Sequence, residues 1–170
     1  MKIPLTQGYF AEVDDEDYEK VNQHSWYASI EEHTVYARSE QGGSMHRLIL
    51  SLKKGDKREA DHRDGNGLNN RRYNLRICSR QQNCYNKRPQ QGGTSRFKGV
   101  SWSRKVNKWQ AYIGFNNKGI YLGYYSDQQV AAIRYDMAAI YFFGQFARIN
   151  YPDMLDDYLE QLEECGLVIK

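Results

Sequence analysis

At 170 residues the chain has room for one ordinary domain or two small ones. Fourteen tyrosines within a 40% apolar content mean that rings with polar tips supply part of the core. Three cysteines, Cys78, Cys84 and Cys165, with no Cys-x-x-Cys pair exclude a disulfide framework and a zinc ribbon. The absence of an apolar leader or a membrane-length apolar run predicts a soluble, cytoplasmic protein with no membrane partner.

The net charge of +3 conceals segregation. Residues 1–45 hold three Lys/Arg against nine Asp/Glu (−6), and residues 46–110 hold seventeen against four (+13). Residues 111–150 hold three against two (+1), and residues 151–170 hold one against six (−5). A basic centre interleaved with aromatic residues predicts a polyanion-binding surface.

Residues 1–45 read as a small β-rich element. Short aromatic and β-branched runs at 9–13, 25–30 and 34–38 suggest strands, and Asp14-Asp15 can cap a short helix over 16–21. Gln41-Gly42-Gly43-Ser44 breaks the chain, and 45–52 reads as a short helix with Leu48 and Leu52 on one face. His46 on that helix is either a phosphate contact or a structural histidine. Glu59 to His62 and Asn74 to Ile77 read as strands around a turn rich in Asp, Asn and Gly. Ser79, with Gln82 three residues on, forms a capping box for a polar helix to Arg88. Residues 89–95 are a linker by composition. Three strand-like segments follow at 97–102, 108–113 and 119–123. A helix capped by Ser126 and Gln129 then runs to Gly144, with alanines that permit close packing on the sheet. Residues 154–165 form an acidic helix within a tail over 151–170.

Asp61 to Asn83 carries the chemistry. Phosphodiester hydrolysis needs an activated water, a base, and a cation for the developing charge. His62 titrates near neutrality and can be the base. Asp61 and Asn83 are hard oxygen donors suited to Mg²⁺. Asn74 can brace the His62 loop, and Arg71, Arg72, Arg76 and Arg80 can grip phosphates. Asp, Asn and Gly are also what turns prefer, so spacing alone leaves a plain turn as the alternative.

Residues 46–86 resemble an HNH endonuclease (ββα-metal, or His-Me finger) of the homing type found in phages and bacteria. The resemblance rests on His46-Arg47-Leu48-Ile49, Asp61-His62-Arg63-Asp64-Gly65-Asn66, Asn69-Asn70, Asn74-Leu75-Arg76 and Gln82-Asn83. It implies His62 and Asn74 as catalytic residues, Asp61 and Asn83 as ligands to Mg²⁺ or Mn²⁺, and double-stranded DNA as substrate. With one site visible, a monomer nicks and a double-strand break needs a homodimer or two events.

Residues 96–150 resemble the plant ethylene-response-factor (APETALA-type) domain. The matching residues are Phe97-Lys98-Gly99-Val100, Lys108-Trp109-Gln110-Ala111-Tyr112-Ile113, Tyr121-Leu122-Gly123, Ala131-Ala132 and Gly144. That resemblance implies a three-stranded sheet on one helix that reads duplex DNA, with Lys98, Trp102, Arg104, Lys108, Trp109, Tyr112 and Tyr121 on the DNA face. Ser101 and Ser103 stand where the plant domains carry arginines, so the plant target sequence does not carry over. The expected architecture is α+β: an N-terminal β element and nuclease domain over 1–88, the linker, the DNA-binding domain over 96–150, and the tail.

Overall fold

The computed structural model describes residues 1–89 and 92–167. Gln90 and Gln91 of the expected linker, and the last three residues of the tail, lie outside them. The chain is mixed α/β, with small antiparallel sheets and helices in two compact units, 1–86 and 87–170.

In the first unit β1 (Lys2–Pro4) pairs with β2 (Phe10–Glu12). A second sheet joins β3 (Tyr27–Ile30), β4 (Val35–Ser39) and the short β5 (Gly43–Ser44). Thus β1 extends the expected β element at its N-terminal edge, and the Gly-Gly-Ser segment returns against β4 as a strand. Helix α1 (Asp15–Val21) forms where the acidic first turn suits the positive end of the helix dipole. Asp14 is its N-cap by backbone, yet its carboxylate accepts the backbone N–H of Arg72 at 2.7 Å instead of capping. Helix α2 (Met45–Ile49) supplies Met45 and Ile49 to a core shared with Ile3, Ala11, Val13, Val21, Trp26 and Leu75. The Trp26 indole N–H is satisfied by the carbonyl of Val21 at 2.8 Å.

On this scaffold sits an antiparallel hairpin, β6 (Glu59–His62) and β7 (Leu75–Cys78), followed by α3 (Arg80–Tyr85). The Ser79–Gln82 capping box closes in both directions, with bonds of 3.2 and 2.9 Å. The helix ends three residues before the expected Arg88.

In the second unit β8 (Val100–Ser103), β9 (Lys108–Phe115) and β10 (Lys118–Tyr125) form a meander with β9 in the centre. Helix α4 (Gln128–Phe143) covers one face. Its cap is Asp127, not Ser126: the Asp127 carboxylate accepts from the N–H groups of Gln129 and Val130. Ala131 and Ala132 pack with Val100 and Ala111 of the sheet. Ile133, Met137, Ile140 and Tyr141 pack instead with Tyr158 and Leu162 of α5 (Leu155–Glu164). The acidic tail helix is therefore a packed layer on α4, its apolar stripe buried and its carboxylates outward. Buried Asp136 ties the unit together by accepting from the backbone N–H of Asn150 and Tyr151 and the amide of Asn150.

Candidate active site and nucleic-acid interface

Strand alternation sets the site. Asp61 pairs with Arg76 across the hairpin, and His62 pairs with Leu75, so these two neighbours face opposite sides. His62 is buried, its ring against Tyr36 and His46, at centroid distances of 5.8 and 5.0 Å. Its Nε2 lies 3.3 Å from Oδ1 of Asn70, which is fully buried. The Asn70 amide N–H groups donate to the carbonyls of Gly67 and Leu68, so its oxygen is the atom left for the imidazole. That network places the His62 proton on Nε2 and leaves the lone pair on Nδ1, which has no hydrogen-bond partner among the described residues. Burial holds the His62 pKa below its ordinary value, against the Asn70 bond and the Asp64 and Asp61 charges that raise it. The ring is therefore neutral at pH 7 with a basic nitrogen available.

Asn74 spans the loop that follows His62. Its oxygen accepts the Asp64 N–H at 3.0 Å, and its amide donates to Asp64 at 3.0 Å and to the Asn69 carbonyl at 2.8 Å. Asp64 also accepts from the Asn66 N–H and the Asn69 amide. Burial opposes the Asp64 charge, yet these bonds hold its carboxyl below the usual range. The loop is pressed onto the N-terminal sheets: the Glu12 N–H donates to Leu68 O, the Asn70 N–H to Glu12 O, and the Gly67 N–H to Thr34. A Cβ on Gly67 would lie 2.5 Å from the Val35 carbonyl and 2.6 Å from the Tyr36 ring, so only glycine fits there. The first 45 residues, which the sequence suggests as a separate β element, thus hold the catalytic loop.

Asp61 is held from two sides. Arg76 donates to it through Nε at 2.7 Å and Nη2 at 2.6 Å, and both side chains are buried. The Asn86 amide donates to both Asp61 oxygens, at 2.9 and 3.2 Å, and to the His62 carbonyl at 2.8 Å. Asn83 donates to Glu59 at 2.7 Å. The amide in contact with Asp61 is therefore Asn86, not Asn83. Carboxylate and amide oxygens are the right chemistry for a hard divalent ion, but an ion at Asp61 has to take the seat of the Arg76 guanidinium. His46 also belongs to this neighbourhood. Burial and the adjacent His62 push its pKa down to about 3, and its Nδ1 is buried without a partner.

The arginines divide. Arg72 bonds to Asp17 at 2.7 Å and to Glu16 of α1, Arg71 lies 3.5 Å from Glu12, and Arg76 serves Asp61. Arg80, exposed at the start of α3, makes no ion pair among the described residues. The basic block of 46–110 is thus partly spent inside the fold, and acids of the N-terminal segment neutralise two of its arginines.

In the second unit the register separates the expected face. Trp102 pairs with Trp109, and the residues two along from them, Val100 and Ala111, pair in the core. Both tryptophans therefore lie on the helix side, edge to face at 5.0 Å. Tyr112 pairs with Tyr121 on the opposite, open side, together with Lys108. Alternation requires this split, which corrects the single face expected for all four rings. Arg104 lies in the β8–β9 turn and Lys98 just before β8. Tyr124 and Gln110, a further pair on the open side, went unnoticed because a bulge between Tyr121 and Gly123 shifts the β10 alternation.

Comparison with known proteins agrees with this division. Residues 44–85 match the family model described as HNH endonuclease. The chain is 39% identical over 77 residues to the ethylene-responsive transcription factor WRI1 of Arabidopsis thaliana, covering 44% of this chain and 17% of that protein. It is 37% identical over 71 residues to the APETALA2-like protein 2 of Oryza sativa subsp. japonica, covering 42% and 16%. The chain spans under a fifth of the length of these relatives. No solved structure matches. No helix among the described residues is long and apolar enough to cross a membrane. The chain thus carries a segment similar to HNH endonucleases and a region similar to APETALA2-type factors, which supports a nuclease and a DNA-binding domain joined in one protein.

Proposed function

We propose that the protein is a metal-dependent DNA endonuclease of the homing HNH type, in which the second unit binds the DNA that the first unit cuts. The observation that carries this reading is the His62 imidazole, buried and neutral, with Nε2 on Asn70 and Nδ1 free. His62 Nδ1 takes a proton from water as that water attacks the phosphorus. Asn70 fixes the tautomer, and Asn74 holds the loop that carries them both. Asp61, with Asn83 or the nearer Asn86, is the seat for Mg²⁺ or Mn²⁺, which supplies charge to the phosphate and the leaving oxygen. The Asn83 amide oxygen makes no hydrogen bond among the described residues, which leaves it available as a donor. Arg80 and the basic residues of the second unit grip the phosphates of duplex DNA. One site per chain nicks one strand, and cutting both strands needs a homodimer or two encounters.

A second reading, a DNA-binding regulator on an inactive nuclease fold, is favoured by the Arg76–Asp61 pair, which already neutralises the metal-seat carboxylate. Plasmid relaxation separates the two. With Mg²⁺ or Mn²⁺ the wild type converts supercoiled DNA to nicked circles, and His62→Ala slows that conversion by about a hundredfold or more. Equal conversion by both proteins removes His62 as the base, and conversion by neither leaves the regulator.

A further inference from the structure

The open face of the second unit's sheet is aromatic rather than cationic. Tyr112, Tyr121 and Tyr124 are exposed by 46%, 52% and 40%, although each sits within a strand. Register puts them on one surface, since Tyr112 pairs with Tyr121, and Tyr124 pairs with Gln110, two residues from Tyr112. The Tyr121 and Tyr124 rings touch at a centroid distance of 5.1 Å. Tyr112 lies down over the neighbouring strand: a Cβ on Gly119 would fall 1.1 Å from its hydroxyl oxygen. Gly119 pairs with Gly114, so the floor beside the rings carries no side chain. Ser101 and Ser103 on β8 are small as well.

Only Lys108 brings a cation to this surface among the strand residues, and Arg104 and Lys105 stand at the same end, in the β8–β9 turn. Duplex readers grip two phosphate backbones and need charge on both flanks. This face offers a one-sided cationic edge beside a row of rings, the pattern that seats one strand's phosphates while its bases stack. We propose that the open face takes the unpaired bases of single-stranded or locally opened DNA, stacking them on Tyr112, Tyr121 and Tyr124. Arg104, Lys105 and Lys108 hold the phosphates of that strand. The tyrosine hydroxyls suit this use, because they keep the rings wet-compatible while the π faces do the binding.

The proposal rests on the reading that the second unit binds DNA, and the test separates the two. The full chain carrying His62→Ala, in metal-free buffer, is titrated against one labelled oligonucleotide. That strand is presented single-stranded, fully paired, and paired around an unpaired bubble, with anisotropy as the readout. The single strand and the bubble are expected to bind about tenfold tighter than the duplex. Tyr121→Ala and Tyr124→Ala, each on an exposed position that leaves the fold intact by circular dichroism, reduce the first two to the level of the duplex. Tyr121→Phe keeps the preference, since the ring and not the hydroxyl stacks. If the duplex binds as tightly as the single strand and the alanine variants weaken all forms equally, the stacking platform is wrong while DNA binding stands. If no form binds, the DNA reading of this unit fails and the platform with it.

Discussion

Asp61 and Arg76 form the most consequential pair in the first unit, because a carboxylate in the metal seat is already neutralised by a guanidinium 2.6 Å away. Both are buried, so deleting one leaves the other's charge without compensation, at a cost of about 3 kcal/mol or more. The pairing also makes arginine and metal competitors for one carboxylate. Arg76→Gln is expected to lower the melting temperature in metal-free buffer and to bind Mn²⁺ more tightly than the wild type. Added Mn²⁺ then restores part of the lost stability. Electron paramagnetic resonance of free Mn²⁺ measures the affinity and a thermal melt measures the recovery. Unchanged Mn²⁺ affinity with no recovery means that the ion does not bind at Asp61.

At the scale of elements, the turn between β6 and β7 shows how far the sequence carries the argument. Gly67 is pressed against Val35 and Tyr36 of β4, and its N–H is bonded to Thr34. Gly67→Ala pushes a methyl into a backbone carbonyl that cannot yield, and is expected to destabilise the unit by about 2 kcal/mol. Denaturant unfolding measures the loss, and wild-type stability in that variant contradicts the packed loop. Elements with local signals were legible. The Ser79–Gln82 box, the two strands around His62 and the three strands after Gly99 all carry their cues within a few residues.

What was not legible depends on partners far along the chain. Asn70 and Asn86 have the same side chain as Asn74 and Asn83, and only the fold shows that Asn70 meets the imidazole and Asn86 the carboxylate. The tryptophans were assigned to the wrong side because a strand's face is fixed by pairing, and a one-residue shift in start reverses it. Ser126 and Asp127 are both good caps, and backbone geometry chose the second. The role of the first 45 residues was hidden for the same reason: Glu12 and Thr34 reach the loop through backbone and hydroxyl bonds that leave no pattern in sequence.

Across the whole molecule, the chain joins a hydrolytic unit to a unit whose open sheet face is suited to nucleic acid. Charge follows that division less simply than the sequence suggests, because Arg71, Arg72 and Arg76 are engaged by acids of their own unit. The chemistry reduces to one proton transfer at His62 Nδ1, and its pH dependence has a definite sign. The base works only when unprotonated, and burial lowers its pKa below the ordinary 6.5, so the rate rises with pH on the acidic side and levels before neutrality. The most direct measurement is the single-turnover cleavage rate of labelled DNA across pH at saturating Mn²⁺, wild type beside His62→Ala. The wild type is expected to climb tenfold per pH unit to a plateau reached below pH 7, with the variant at least about a hundredfold slower there and lacking that limb. A variant that cleaves at the wild-type rate with the same profile would contradict His62 as the base.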